Sequence, residues 1–135
     1  MAKNKQLLGL DVGAARIGVA LADTGVRIAI PNDYIEVDGT EIAKIAEVVI
    51  KNEIDTIVVG YPRNQSGEAT QQTAYVESFA RMLTDFDAEI VFQDESLTSV
   101  IAEQRLATRR KDYSKGDIDS EAAAIILQDY MEQNL

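Results

Sequence analysis

The chain has 135 residues, of which 46% are apolar, and its 13 Lys and Arg against 23 Asp and Glu give a formal net charge of −10. That size and apolar share suit a single domain over residues 1–135, since a chain of this length buries enough surface to fold without disulfides or structural metals. With no Cys and no His, disulfide scaffolds, zinc ribbons, cysteine nucleophiles, serine–histidine hydrolases and imidazole catalysis are all excluded, leaving carboxylates, hydroxyls, backbone amides, Lys, Arg or a hard metal ion to do chemistry.

Gln6–Val12 is nearly continuously apolar, which predicts a central strand buried on both faces. Gly13-Ala14-Ala15 turns the chain into residues 16–22, whose alternation makes them the hairpin partner. A third strand covers residues 28–30 and resumes over 34–37, with Pro31 marking an edge or a break. Ile42, Ile45, Ala46 and Val49 then recur at helical spacing, behind Asp38 and Glu41 spaced as a capping box. Residues 56–60 form a short buried strand, a helix follows from about 67 to about 84, and residues 89–93 form another strand. Thr98 or Ser99 caps a helix reaching about Thr108, residues 109–117 read as a loop, and residues 118–131 form a final helix.

A three-stranded meander followed by alternating helices and strands gives a mixed sheet with helices on both faces. Right-handed crossovers place the fourth and fifth strands beside the first, so the expected fold is α/β and RNase H-like, five strands in the order 3-2-1-4-5.

Chemistry concentrates where this arrangement brings strand ends together. Asp11 ends the buried first strand, and an acid there is costly unless something positive meets it. Asp94 and Glu95 follow the fifth strand, at the carboxyl end where open α/β sheets bind ligands, and one of the two points into the cleft. Asp119 shares a helical face with Ala122, Ala123, Ile126 and Tyr130, the stripe expected on the sheet, whereas Glu121 falls on a wetter face and Asp117 precedes the helix. Arg105, Arg109, Arg110, Lys111 and Lys115 crowd the loop before that helix and suit phosphate contacts, with Tyr113 available to stack on a base. Arg63, in the connection after the fourth strand, reaches for a phosphate from the same side. Three acids without His or Cys form an oxygen-only ligand set, which selects Mg²⁺ or Mn²⁺. One or two such ions activate water and stabilise the leaving oxygen in phosphodiester hydrolysis.

Four segments, in order, also carry a resemblance. They are Leu8-Gly9-Leu10-Asp11-Val12-Gly13 with Arg16-Ile17-Gly18-Val19-Ala20; Ile57-Val58-Val59-Gly60-Tyr61-Pro62; Asp94-Glu95-Ser96-Leu97-Thr98-Ser99; and residues 115–120 running into 122–128. Along its whole length the chain resembles the YqgF family, Holliday-junction-resolvase-like proteins of bacteria regarded as nucleases of pre-16S rRNA. The resemblance implies Asp11, Glu95 and Asp119 as the catalytic, metal-binding acids; the basic residues expected on the substrate, read from the sequence itself, are Arg16, Arg63, Arg109, Arg110, Lys111 and Lys115. It further implies hydrolysis at the 5′ end of pre-16S rRNA, with the small ribosomal subunit as partner and the protein acting as monomer or homodimer. Resolvases of DNA junctions place their second acid on the fourth strand, where this chain has Gly60, and members of the family usually carry a basic residue where it has Ser96. The alternatives are a DNA junction resolvase and a noncatalytic RNA-binding assembly factor. The Asp-x-Gly loop also occurs in actin-like phosphotransferases, but 135 residues leave no room for their second lobe. No apolar run approaches the ~20 residues of a membrane span and the first residues lack a signal peptide's apolar region, so a cytoplasmic protein is expected.

Overall fold

The computed structural model describes residues 4–62, 71–95, 98–109 and 112–135. Within them the chain runs β1 (Gln6–Val12), β2 (Arg16–Asp23), β3 (Ile30–Glu36), α1 (Glu41–Lys51), β4 (Thr56–Tyr61), α2 (Gln71–Met82), β5 (Glu89–Asp94), α3 (Thr98–Arg109) and α4 (Lys115–Asn134). The strands form one sheet in the order β3-β2-β1-β4-β5, as the crossover argument predicts. β1–β2 and β2–β3 are antiparallel, β1–β4 and β4–β5 parallel.

Alternation along β1 sorts the two faces. Leu8, Leu10 and Val12 join Ile17, Val19, Ile57 and Val59 beneath Ile45 of α1, Val76 and Phe79 of α2, and Leu83 just past its end. Leu7 on the opposite face joins Ala20, Ala22 and Val58 against Ala123, Ile126, Leu127 and Met131 of α4. Gly9 belongs to this second face: a Cβ there would stand 2.9 Å from the Leu127 Cβ, so α4 lies almost on the β1 backbone. The far side of α4 packs on α3 through Ala102, Ala122 and Ile125.

Several local expectations change. β3 is a single strand through Pro31, which pairs with Ala20 beside a register shift; a proline missing its N–H is tolerated because β3 is an edge. Asp38 and Glu41 form no capping box. The N-cap of α1 is Thr40, whose backbone N–H donates to Asp38 Oδ1 at 2.9 Å, while Gly39 N–H donates to Glu41 Oε1 at 2.7 Å. α4 starts three residues earlier than its apolar stripe, because Ser114 and Asp117 form a reciprocal capping box that satisfies its first amides. Asp117 is therefore a helix-starting residue, and α4 also runs on to Asn134. The expected start of the second helix near residue 67 and the residues just before α3 lie outside the described residues.

Candidate active site

β1 delivers Asp11 to the carboxyl end of the sheet with a glycine on either side. Asp11 pairs with Gly18 of β2. On the other side the parallel register, Leu10 with Val59, brings Gly60 of β4 alongside. Both glycines yield their side-chain space to an acid-bearing segment. A Cβ at Gly18 would fall 1.8 Å from the backbone carbonyl oxygen of Asp119, and one at Gly60 would fall 2.3 Å from Glu95 Oε2 and 2.6 Å from Ile126 Cδ1. Glu95, just past the end of β5, can thus reach over the bare backbone of β4 to β1.

There its carboxyl group hydrogen-bonds that of Asp11. Burial, then the Asp11 charge and the hydrogen bond to it, then the nearby Asp94 charge, push Glu95 up to about 9. Burial also raises Asp11, to about 6, helped by the Asp119 charge and opposed by the bond with Glu95. The two carboxyls share one proton, because like charges in a dry cleft resist joint ionisation.

Asp119 is near enough to act on Asp11 electrostatically, but its Oδ2 accepts a 2.7 Å hydrogen bond from Arg16 Nε, with both side chains about a quarter to a third exposed. Arg16 opens β2, and Gly13 sets its position by donating its N–H to the Arg16 carbonyl at 3.0 Å. The sheet and α4 therefore bring the three expected acids to one strand end. Among the described residues, however, no group of three carboxylates is arranged to hold a metal as it stands. The donor set itself fits a hard divalent ion: all its ligands are oxygens, and the proton held between Asp11 and Glu95 sits where a cation's charge would relieve the same repulsion.

The basic residues divide. Arg109 forms an ion pair with Glu121 of α4, and Arg105 Nη1 lies 3.8 Å from the same oxygen. Lys115 is exposed at the first turn of α4. Arg63, Arg110 and Lys111 lie outside the described residues. Glu121, expected on a wet face, is only 4% exposed. A helical stripe identifies one buried face, but α4 is covered by the sheet on one side and α3 on the other, so its second face is dry as well. The clue in the sequence is the run Ala122–Leu127, apolar on every side of the helix.

The RuvX family model, described as Holliday junction resolvase, matches residues 5–133. A protein of Sulfurihydrogenibium sp. (strain YO3AOP1) named "Putative pre-16S rRNA nuclease" is 37% identical over 131 residues, covering 95% of this chain and 90% of its own. One of the same name from Chloroflexus aggregans (strain MD-66 / DSM 9485) is 41% identical, covering 93% and 92%. Among solved structures, T. thermophilus RuvC in complex with a Holliday junction substrate superposes with a TM-score of 0.57 at 13% identity, over 96% of both chains. The fowlpox virus resolvase with its junction DNA gives 0.59 at 10%, over 96% and 99%. These two likenesses establish the RNase H-like fold.

Proposed function

The chain belongs to the RuvX family, and on that premise we propose that it is a single-domain, metal-dependent nuclease that hydrolyses phosphodiester bonds at the 5′ end of pre-16S rRNA. The observation that carries the reading is the carboxyl pair Asp11–Glu95, joined across Gly60 at the strand ends with Asp119 held against Gly18. RNA is favoured by the names of the relatives, which cover nearly the whole chain.

Asp11, Glu95 and Asp119 would hold one or two Mg²⁺ or Mn²⁺ ions, which supply activation of the attacking water and neutralisation of the leaving oxygen. The chain's own residues prepare that site. Asp11 lies between the other two acids, Glu95 gives up the proton that it shares, and Arg16 orients Asp119 from the opposite side. Lys115, exposed in the first turn of α4, is assigned to a backbone phosphate, with Arg63, Arg110 and Lys111 assigned likewise from the sequence. Arg109 is assigned to Glu121 instead. Work on a ribosomal RNA precursor makes the small subunit the partner and the cytoplasm the compartment; among the described residues no helix is long and apolar enough to cross a membrane.

The test is to incubate the purified protein and Mn²⁺ with a precursor rRNA fragment and, in parallel, with a four-way DNA junction. Asp11-dependent cleavage of the RNA alone is expected. Cleavage of the junction alone would instead favour the resolvase reading, which the family's description supports. Restored growth of a depleted strain by Asp11→Asn would favour a noncatalytic assembly factor.

A further inference from the structure

Residues next to the carboxyl pair point to the other face of the sheet. Tyr61 and Asp94 pair across β4 and β5, one following Gly60 and the other preceding Glu95. With Phe92 and with Glu77 of α2 they line an open hollow of about 240 Å³. Asp94 is close enough to Glu95 for its charge to act there, so hollow and carboxyl pair share one strand end.

The lining has an unusual balance. Phe92 is 45% exposed, on the outermost strand. Its ring centroid is 5.1 Å from that of Tyr61, with the planes at 69°. Tyr61 is oriented by its hydroxyl, which donates to Glu77 Oε1 at 3.0 Å. A second hollow of about 270 Å³, running over Ile90 towards Arg81, borders Phe92 from the other side. Flat apolar surface is therefore available on an acidic protein, beside two carboxylates that accept hydrogen bonds and repel phosphate. A ligand suited to it has a planar face for the ring and an edge of N–H donors for the acids.

We propose that this hollow takes an unpaired guanine of the substrate strand, stacked on Phe92 and read through its N1–H and 2-amino group by Glu77 and Asp94. Guanine presents two adjacent donors to a carboxylate. Adenine and cytosine set an acceptor nitrogen beside their one amino group, and uracil sets carbonyls beside its one imino group. Unpaired bases read on the Watson–Crick edge while stacked on an aromatic ring are the usual form of sequence-specific RNA recognition. The proposal deepens the nuclease reading and rests on it for the identity of the ligand.

Fluorescence anisotropy in EDTA tests binding without cleavage, using labelled uridine hexamers that carry one central guanine, inosine, adenine or cytosine. The guanine hexamer is expected to bind tightest, and inosine, which lacks the 2-amino group, to fall to the level of the others. Phe92→Ala should weaken the guanine hexamer about 5- to 150-fold, the equivalent of one lost base–aromatic stack. Phe92→Leu, which keeps an apolar side chain without a ring, should do the same with an unchanged melting temperature, and Phe92→Tyr should retain binding. Glu77→Gln should erase the preference for guanine over inosine. Equal binding of guanine and inosine, or a Phe92→Leu protein that binds like the unmodified one, overturns the proposal. Asp11-dependent cleavage separates the two readings. Cleavage that ignores Phe92 removes the hollow and keeps the nuclease, whereas Phe92-dependent guanine binding without any cleavage does the reverse.

Discussion

Glu95 and Asp11 share a hydrogen bond across the bare backbone of Gly60. One strand, β4, lies between β1 and β5, which bring in these carboxyls, and the missing side chain at Gly60 makes the crossing possible. Here the acid arrives from the end of β5 and fills the space that a side chain on β4 would occupy.

Gly60→Ala should therefore act on the site before it acts on the fold. Its Cβ would meet Glu95 Oε2 and Ile126 Cδ1, both ends of movable side chains. A loss of about 1–3 kcal/mol is expected from overpacking, with cleavage falling much further. Gly18→Ala should be worse, since its Cβ would strike the Asp119 backbone, which cannot step aside without moving α4. Urea melts and cleavage rates on both variants check the order.

In EDTA the protein should lose stability as the pH rises from 5 to 9. Asp11 and Glu95 both have folded-state pKa values above their ordinary ones, so the native state binds more protons than the unfolded chain through this window. Stability is then full below the ordinary carboxyl range and is lost as pH climbs through about 6 and on towards 9. Glu95→Gln should flatten the profile. Melting temperatures at half-unit pH steps measure it; a profile that rises with pH would show that the pair is not protonated.

Metal should reverse that loss. Mn²⁺ at 100 times its Kd is expected to add about 2.7 kcal/mol to the unmodified protein, and much less to Asp11→Asn. The same substitution should leave the metal-free protein equally stable or more stable, because it removes one of the clustered charges. An Asp11 that merely shaped its turn would give the opposite pattern in the same four melts.

Arg109→Ala should destabilise the protein, by about 1–3 kcal/mol, because it leaves the buried Glu121 carboxylate with only the more distant Arg105. Over half of the Arg109 side chain is exposed, which keeps the effect below that of a fully buried pair. Arg109→Ala and Glu121→Gln should both shift the urea midpoint while leaving the salt dependence of RNA binding unchanged. A shallower salt slope for Arg109→Ala would return this residue to the substrate.

Asp117 and Asp119 should separate by readout. Asp117→Asn weakens the reciprocal cap with Ser114, at about 1 kcal/mol, and leaves cleavage intact below the melting range. Asp119→Asn should abolish cleavage with a small change in stability. Equal effects on both readouts would mean that α4 is rotated from the phase described.

The sheet was legible in the sequence because its strands are short apolar runs with one switch of period, and the handed crossovers leave a single order for them. Asp11 was legible for a related reason: a charge at the end of a buried strand stands out against its neighbours. Glu121 was not, because amphipathic spacing assumes a helix with one wet side, and α4 has cover on two. The engagement of Arg16 with Asp119 and of Arg109 with Glu121 depends on partners 103 and 12 residues away, and charge counts along a chain carry no information about such pairings.

The packing of α4 against β1 and β2 has a consequence in time. A helix from the far end of the sequence covers strands from its beginning, so Asp11 and Asp119 become neighbours only after a loop of about a hundred residues has closed. Such long-range contacts form late, since chain entropy must be lost before they can repay it. During synthesis the first hairpin waits with its α4-facing surface open, and the third carboxylate is still unmade. With Asp119 among the metal-binding acids, as proposed, a nascent chain would gain the competence to cut RNA only once α4 docks.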